Sequence, residues 1–187
     1  MKMNTEESQK VIRVIENSNL SIRQVIELIE NSNTKSKEVI DTYNEILLTV
    51  DYTKTLEEAI ADGKYDWKNI GIVAKNFPIS IEIVEKKIEL ATKLFHFNRR
   101  VSSEDATLQM DRDGYRSATL RELLVLGALN PELQKQFPII ALGSIWRAAG
   151  DDCCVVCLSV DSSGRKLSLY WFGLDWDARD RFLGVRK

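Results

Sequence analysis

The sequence predicts an α+β protein: a helical N-terminal region over residues 1–64, then an α+β C-terminal domain over residues 65–187, built on a small, mostly antiparallel sheet. Three observations predict it. Apolar pairs recur every 14 residues near the start, with helical spacing between polar breaks. Two capping signals, each followed by a Gly or Pro stop, lie between residues 102 and 131. From Ile139 onward, short β-branched and aromatic runs alternate with turn residues.

The N-terminal repeat is explicit. Val11-Ile12-Arg13-Val14-Ile15-Glu16-Asn17-Ser18-Asn19 returns as Val25-Ile26-Glu27-Leu28-Ile29-Glu30-Asn31-Ser32-Asn33, and a fainter copy opens at Val39-Ile40-Asp41. One continuous coiled-coil helix needs apolar residues in the alternate heptads as well, but those hold Ser18, Ser21, Ser32 and Lys35. Asn and Ser compete with the helix backbone for hydrogen bonds and favour boundaries. Ser21 and Gln24 have capping-box spacing. The pattern predicts short helices parted by Asn-Ser turns, a third helix over residues 36–49, and a shorter one over 55–61 that stops near Gly63.

Residues 65–78 mix aromatics with turn formers and read as a connection packed on a core. Residues 79–97 fit helix or strand, with the aromatic end at Lys93-Leu94-Phe95-His96-Phe97 favouring strand. Ser102 to Asp105 caps a helix that runs to about Asp111 and ends at Asp113-Gly114. Thr119-Leu120-Arg121-Glu122 is a capping box opening a helix to Asn130, which Pro131 closes. Strands are predicted over 139–146, 153–160, 166–172 and 182–186, with Asp161-Ser162-Ser163-Gly164 as a hairpin turn.

Hydrophobic residues make up 44% of the 187 and charged residues 29%, which permits a real core and excludes a disordered chain. The net charge of −2 gives no global attraction to nucleic acid or anionic lipid. Basic residues are mostly Lys before residue 98 and mostly Arg beyond it, so the two halves present different surface chemistry. Cys153, Cys154 and Cys157 are an odd, clustered set that cannot frame disulfides, which points to a reducing, cytoplasmic setting. The start carries no apolar leader segment and no run reaches the length of a membrane span.

Candidate sites are few. Cys154-x-x-Cys157 has half-site spacing for zinc, yet no second such pair exists and the motif sits in an apolar strand run, so these thiols are expected to be structural. His96, the sole histidine, stands between Phe95 and Phe97. Asp111 and Asp113 imitate the start of a calcium loop, but position twelve is Leu120. Asp175, Asp177 and Asp180 sit beside Arg179 and Arg181, which can neutralise them without a metal. No phosphate-binding Gly-rich loop, nucleophile elbow or zinc-protease motif occurs. We therefore expect no catalytic residue, no metal and no cofactor.

The aromatic and Arg residues near the C-terminus are the exception. Trp146, Tyr170, Trp171, Phe172 and Trp176 lie among Arg165, Arg179 and Arg181, and such residues dominate binding hot spots. Alternation places Leu167, Leu169 and Trp171 on one face, expected to be buried, and leaves Trp176 in a polar loop as the expected surface ring. The predicted binding residues are Trp176, Arg179, Arg181 and Tyr170. The predicted function is a non-enzymatic binding or protein-interaction module whose partner is a protein or small ligand. Single-stranded nucleic acid is a weaker alternative: Arg and Trp suit base stacking, but no basic run accompanies them.

Two resemblances add to this reading. Gly114 to Thr119 with Glu122-Leu123-Leu124, Phe137-Pro138-Ile139-Ile140-Ala141-Leu142-Gly143-Ser144-Ile145-Trp146, and the ending Arg181-Phe182-Leu183-Gly184-Val185-Arg186-Lys187 resemble a family of small uncharacterised bacterial proteins. That match covers roughly residues 65–187 and implies no activity. The order of elements also resembles the C-type-lectin-like fold of formylglycine-generating enzymes and of the target proteins of diversity-generating retroelements. There a helix after a Thr-capped segment precedes a Gly-Ser-x-Trp strand, and a Phe-Arg-Val-like strand closes the chain. The resemblance implies a lectin-like sheet and, as an alternative function, an enzyme or an enzyme-derived small-molecule pocket. The Cys pair of the enzyme's copper site has no counterpart here.

Overall fold

The computed structural model describes residues 45–79, 86–148 and 152–187, and from Ile46 on these belong to one compact unit, Ile46–Lys187. The 14-residue repeat and its expected short helices lie outside the described residues.

Strand β1 (Ile46–Asp51) opens the fold. It corrects the described end of the helix expected over 36–49. Ile46, Leu48 and Val50 recur at a spacing of two, the strand period, and Leu48 and Val50 are buried. Helix α1 (Leu56–Asp62) follows its expected signals. The Thr55 N–H donates to the Glu58 carboxylate at 2.7 Å, and the Glu58 N–H returns to Thr55 Oγ1 at 3.2 Å. The expected connection holds a two-residue strand, β2 (Trp67–Lys68), and the ambiguous segment becomes β3 (Lys87–Phe95). Helix α2 (Ser103–Arg112) starts where Ser102 Oγ accepts the Asp105 N–H at 3.1 Å. Gly114, at φ +86°, turns the chain into β4 (Tyr115–Ser117). Helix α3 (Leu120–Leu129) and a single turn, α4 (Leu133–Gln136), precede β5 (Ile139–Arg147), β6 (Cys153–Asp161), β7 (Gly164–Trp171) and β8 (Arg181–Arg186).

The expected fold class is not what forms. Among the described residues 40% are strand and 23% helix, so the sheet dominates. It has eight strands in the order β1-β3-β8-β5-β6-β7-β2, with β4 also on β8. It is mixed, since β8 runs parallel to β5 and β2 parallel to β7. This large mixed sheet stands in place of the small, mostly antiparallel one expected from the sequence. The cause is the last strand. β7 and β8 point the same way, so residues 172–180 must cross one face of the sheet from top to bottom before β8 inserts between β3 and β5.

Both faces of the sheet are covered. On one, α1, α3 and residues 72–77 pack on Ile139, Ala141, Val156, Leu158, Leu167, Leu183 and Val185. On the other, α2 and the 172–180 crossing pack on Ile140, Leu142, Val155, Cys157 and Phe182. Alternate residues of one strand therefore enter opposite cores. That is why Ile139–Leu142 and Val155–Leu158 read as continuous apolar runs. Helix α3 buries Leu120, Leu123, Leu124 and Leu126, and truncating any one of these to Ala costs about 2–5 kcal/mol. Among the described residues no helix is long and apolar enough to cross a membrane.

Candidate functional site

The four residues singled out near the C-terminus do not form one surface. Trp176 is only 4% exposed, contrary to the ring expected at the surface. It sits in the middle of the crossing, where Val101 and Trp176 exchange backbone hydrogen bonds at 3.2 and 2.9 Å. Its indole Nε1–H donates to Ser103 Oγ at 2.8 Å, and its ring meets Phe182 edge-on with centroids 5.9 Å apart. Tyr170 touches it at 6.2 Å and is 40% exposed. Arg179 is exposed. Arg181 lies over the Phe137 ring at 4.5 Å and donates to the Arg179 carbonyl at 2.7 Å. Trp171, expected on the buried face, is 61% exposed at the end of β7.

The other sequence candidates take structural places. Asp177 and Asp180 close a turn in which the Asp177 N–H donates to Asp180 Oδ2 at 2.9 Å. His96 Nε2 pairs with the Ala178 carbonyl at 2.8 Å. Cys154 and Cys157 are buried, and none of the three cysteines is in a disulfide. Burial pushes the Cys154 and Cys157 thiols above their ordinary range. The described residues hold no group of three or more His, Cys, Asp or Glu side chains placed for a metal.

A different constellation gathers at the start of α3. Glu122 is 0% exposed and accepts three hydrogen bonds: the two Arg116 guanidinium nitrogens at 3.0 and 2.6 Å, and the Thr119 N–H at 2.6 Å. Its charge is thus fully matched, and the hydrogen bond to Glu122 raises Arg116 further. Between Ala141 and Ile145 the β5–β6 register slips in a bulge. There the Gly143 N–H reaches the Ala118 carbonyl at 2.8 Å. A Cβ on Gly143 would fall 2.6 Å from the Ser117 carbonyl oxygen, so only glycine allows this approach. The bulge aims Ser144 at the helix, and the Leu120 N–H donates to Ser144 Oγ at 2.9 Å.

Arg121 is the unmatched member. It is 8% exposed, yet its one hydrogen bond, from Nη1 to the Thr55 carbonyl at 3.0 Å, goes to a neutral group. Among the described residues no carboxylate pairs with it. Burial lowers it from its ordinary value, and Glu57 acts on it only at longer range. Beside it, burial and then the Glu122 charge raise the Tyr52 phenol, so that this hydroxyl stays protonated. Arg121 lines two cavities. One, of about 320 Å³, is bounded by Tyr52, Asn76, Phe77, Pro78, Ile79, Thr119, Leu120, Gly143, Ser144 and Ile145. The other, of about 330 Å³, has Leu47, Val50, Leu124, Val125 and Leu129 for walls, with Asp51, Lys54 and Asp62. In the second, Lys54 and Asp62 pair at 2.6 Å and Asp51 pairs with Lys87 at 3.0 Å. None of Tyr170, Trp176, Arg179 or Arg181 lines either cavity.

The capping box at Thr119–Glu122 was readable in the sequence, but the arginine inside it drew no notice. Its signal is the surrounding run, Leu120-Arg121-Glu122-Leu123-Leu124-Val125-Leu126, where an otherwise apolar helix carries one cation beside one acid. The chain matches no family model, no curated protein and no solved structure.

Proposed function

We propose that this protein is a non-catalytic ligand-binding module whose ligand sits in the cleft between Tyr52, Arg121 and Ser144. The observation that carries this reading is the buried Arg121 guanidinium, which has no counter-ion among the described residues, on the wall of a concavity. Burying a charge is expensive unless it is paired, and the cleft leaves room for the missing pair. The groups around it favour binding over chemistry. Glu122, the carboxylate beside the cleft, has its oxygens held by Arg116 and the Thr119 N–H. Three cysteines outside any disulfide agree with a cytoplasmic setting, which belongs to the same proposal.

Amide chemical-shift mapping against a mixed set of small fragments tests this. We expect perturbations to cluster on Tyr52, Asn76, Leu120 and Ile145. Perturbations absent there would overturn the reading. A second reading, a protein-docking surface at the end of β7, draws on the exposure of Tyr170 and Trp171. Pull-down with wild type and Trp171→Ser tests it, since a partner held equally by both counts against that surface.

A further inference from the structure

We infer that the Tyr52–Arg121 cleft is a monocarboxylate site, built for a small organic acid with an apolar body. The inference rests on the binding-module reading and names its ligand class. Three features of the cleft select that class.

The first is charge. Among the described residues, Arg121 is the only formally charged side chain lining the 320 Å³ cavity. Glu122 and Arg116 cancel one another next to it. Among the described residues Arg121 makes no ion pair, so the cleft offers one positive charge, which matches a monoanion. A phosphate dianion would bring an excess negative charge close to Glu122.

The second is geometry. A guanidinium presents its N–H groups as a planar fork that fits both oxygens of a carboxylate. Only Nη1 of Arg121 is engaged by protein, at the Thr55 carbonyl. The protonated Tyr52 hydroxyl can donate to the same anion. Ser144 Oγ, already accepting the Leu120 N–H, keeps its own proton for donation.

The third is the wall. Phe77, Pro78, Ile79 and Ile145 line the rest of the cavity, an apolar surface suited to an aromatic or branched aliphatic body. Its volume of about 320 Å³ lies at the small end of ordinary ligand pockets, roughly 300–1,000 Å³.

The test titrates the full chain with benzoate, its neutral isostere benzamide, and inorganic phosphate, read by amide shifts at Leu120, Gly143 and Ile145. Benzoate is expected to bind in the cleft at least about tenfold more tightly than benzamide, a difference of the size a charge-assisted hydrogen-bond pair supplies. Phosphate is expected to leave these residues unmoved. In Arg121→Gln the preference for benzoate over benzamide should vanish. The wild-type comparison stands without that variant should it fail to fold. Equal binding of benzoate and benzamide in the cleft would overturn the carboxylate assignment while leaving the binding module standing. Phosphate binding in preference to benzoate would overturn it too. If neither organic probe nor the fragment set moves the cleft residues, the binding-module reading itself falls.

Discussion

Truncating Trp176 to Ala removes the largest side chain under the 172–180 crossing. The ring is 4% exposed, packs on Phe182 and Tyr170, and donates its indole N–H to Ser103. Lost burial and the cavity left behind cost about 3–5 kcal/mol for a buried aromatic. The Ser103 hydroxyl still donates to the Phe172 carbonyl, so it loses an incoming bond and is not orphaned. In a unit of this size each kcal/mol lowers the melting temperature by about 2–4 °C, so the variant should melt roughly 6–20 °C below wild type. Trp176→Phe keeps an aromatic ring but not the N–H, and should cost about 1–2 kcal/mol. Thermal and urea melts followed by circular dichroism measure both. A Trp176→Ala melt within about 2 °C of wild type would refute the inward placement of the ring and the crossing that causes it.

Other consequences follow from single contacts. Tyr65 has a buried hydroxyl with no hydrogen-bond partner among the described residues, so Tyr65→Phe should leave stability unchanged or raise it by about 1 kcal/mol in a urea melt. Arg165 donates to the Gly63, Gly127 and Gln134 oxygens at 2.6, 2.7 and 3.1 Å, tying the ends of α1 and α3 to β7. Arg165→Met should therefore cost about 3 kcal/mol or more in the same melt, as three bonds from a charged donor are lost. Asp51, held down by Thr53 and Lys87, and Asp161, held down by Lys166 and Ser163, both sit at about 2. Folded values below the ordinary 3.8 mean their stabilisation is present above that pH and is lost as pH falls through about 2. Asp161 is exposed and Asp51 partly so, so the loss should shrink in about 1 M salt, where the Debye length is about 3 Å. With Cys157 buried and its thiol pushed up, iodoacetamide should label Cys153 first in native protein and reach Cys157 only on unfolding; mass spectrometry of the digest reads this.

Local signals carried through wherever the physics is local. The Thr119–Glu122 and Ser102–Asp105 spacings start helices because a side-chain oxygen three residues away satisfies an orphan N–H. The Asp161–Gly164 turn joins β6 to β7 for the same kind of reason. What failed was long-range. β1 overlaps the end of the helix expected over 36–49, and six residues with two buried positions can be assigned to a strand only when the partner, β3, is known. The place of β8 is set by the crossing, and a segment containing Asp175, Asp177, Arg179 and Asp180 looks like an exposed loop. Its carboxylates do face outward or close the turn, while the single apolar ring among them turns inward. Arg121 escaped notice because a buried cation is recognised by the partner it lacks, and that is a property of three-dimensional neighbours.

The most direct test of the Arg121 cleft is the side-chain Nε–H resonance of Arg121 in nitrogen-15-labelled protein, assigned by its loss in Arg121→Gln. Titration with benzoate should shift that resonance saturably, together with the Leu120 and Ile145 amides and with one common dissociation constant. An Arg121 resonance that stays fixed while benzoate moves other residues would contradict the account.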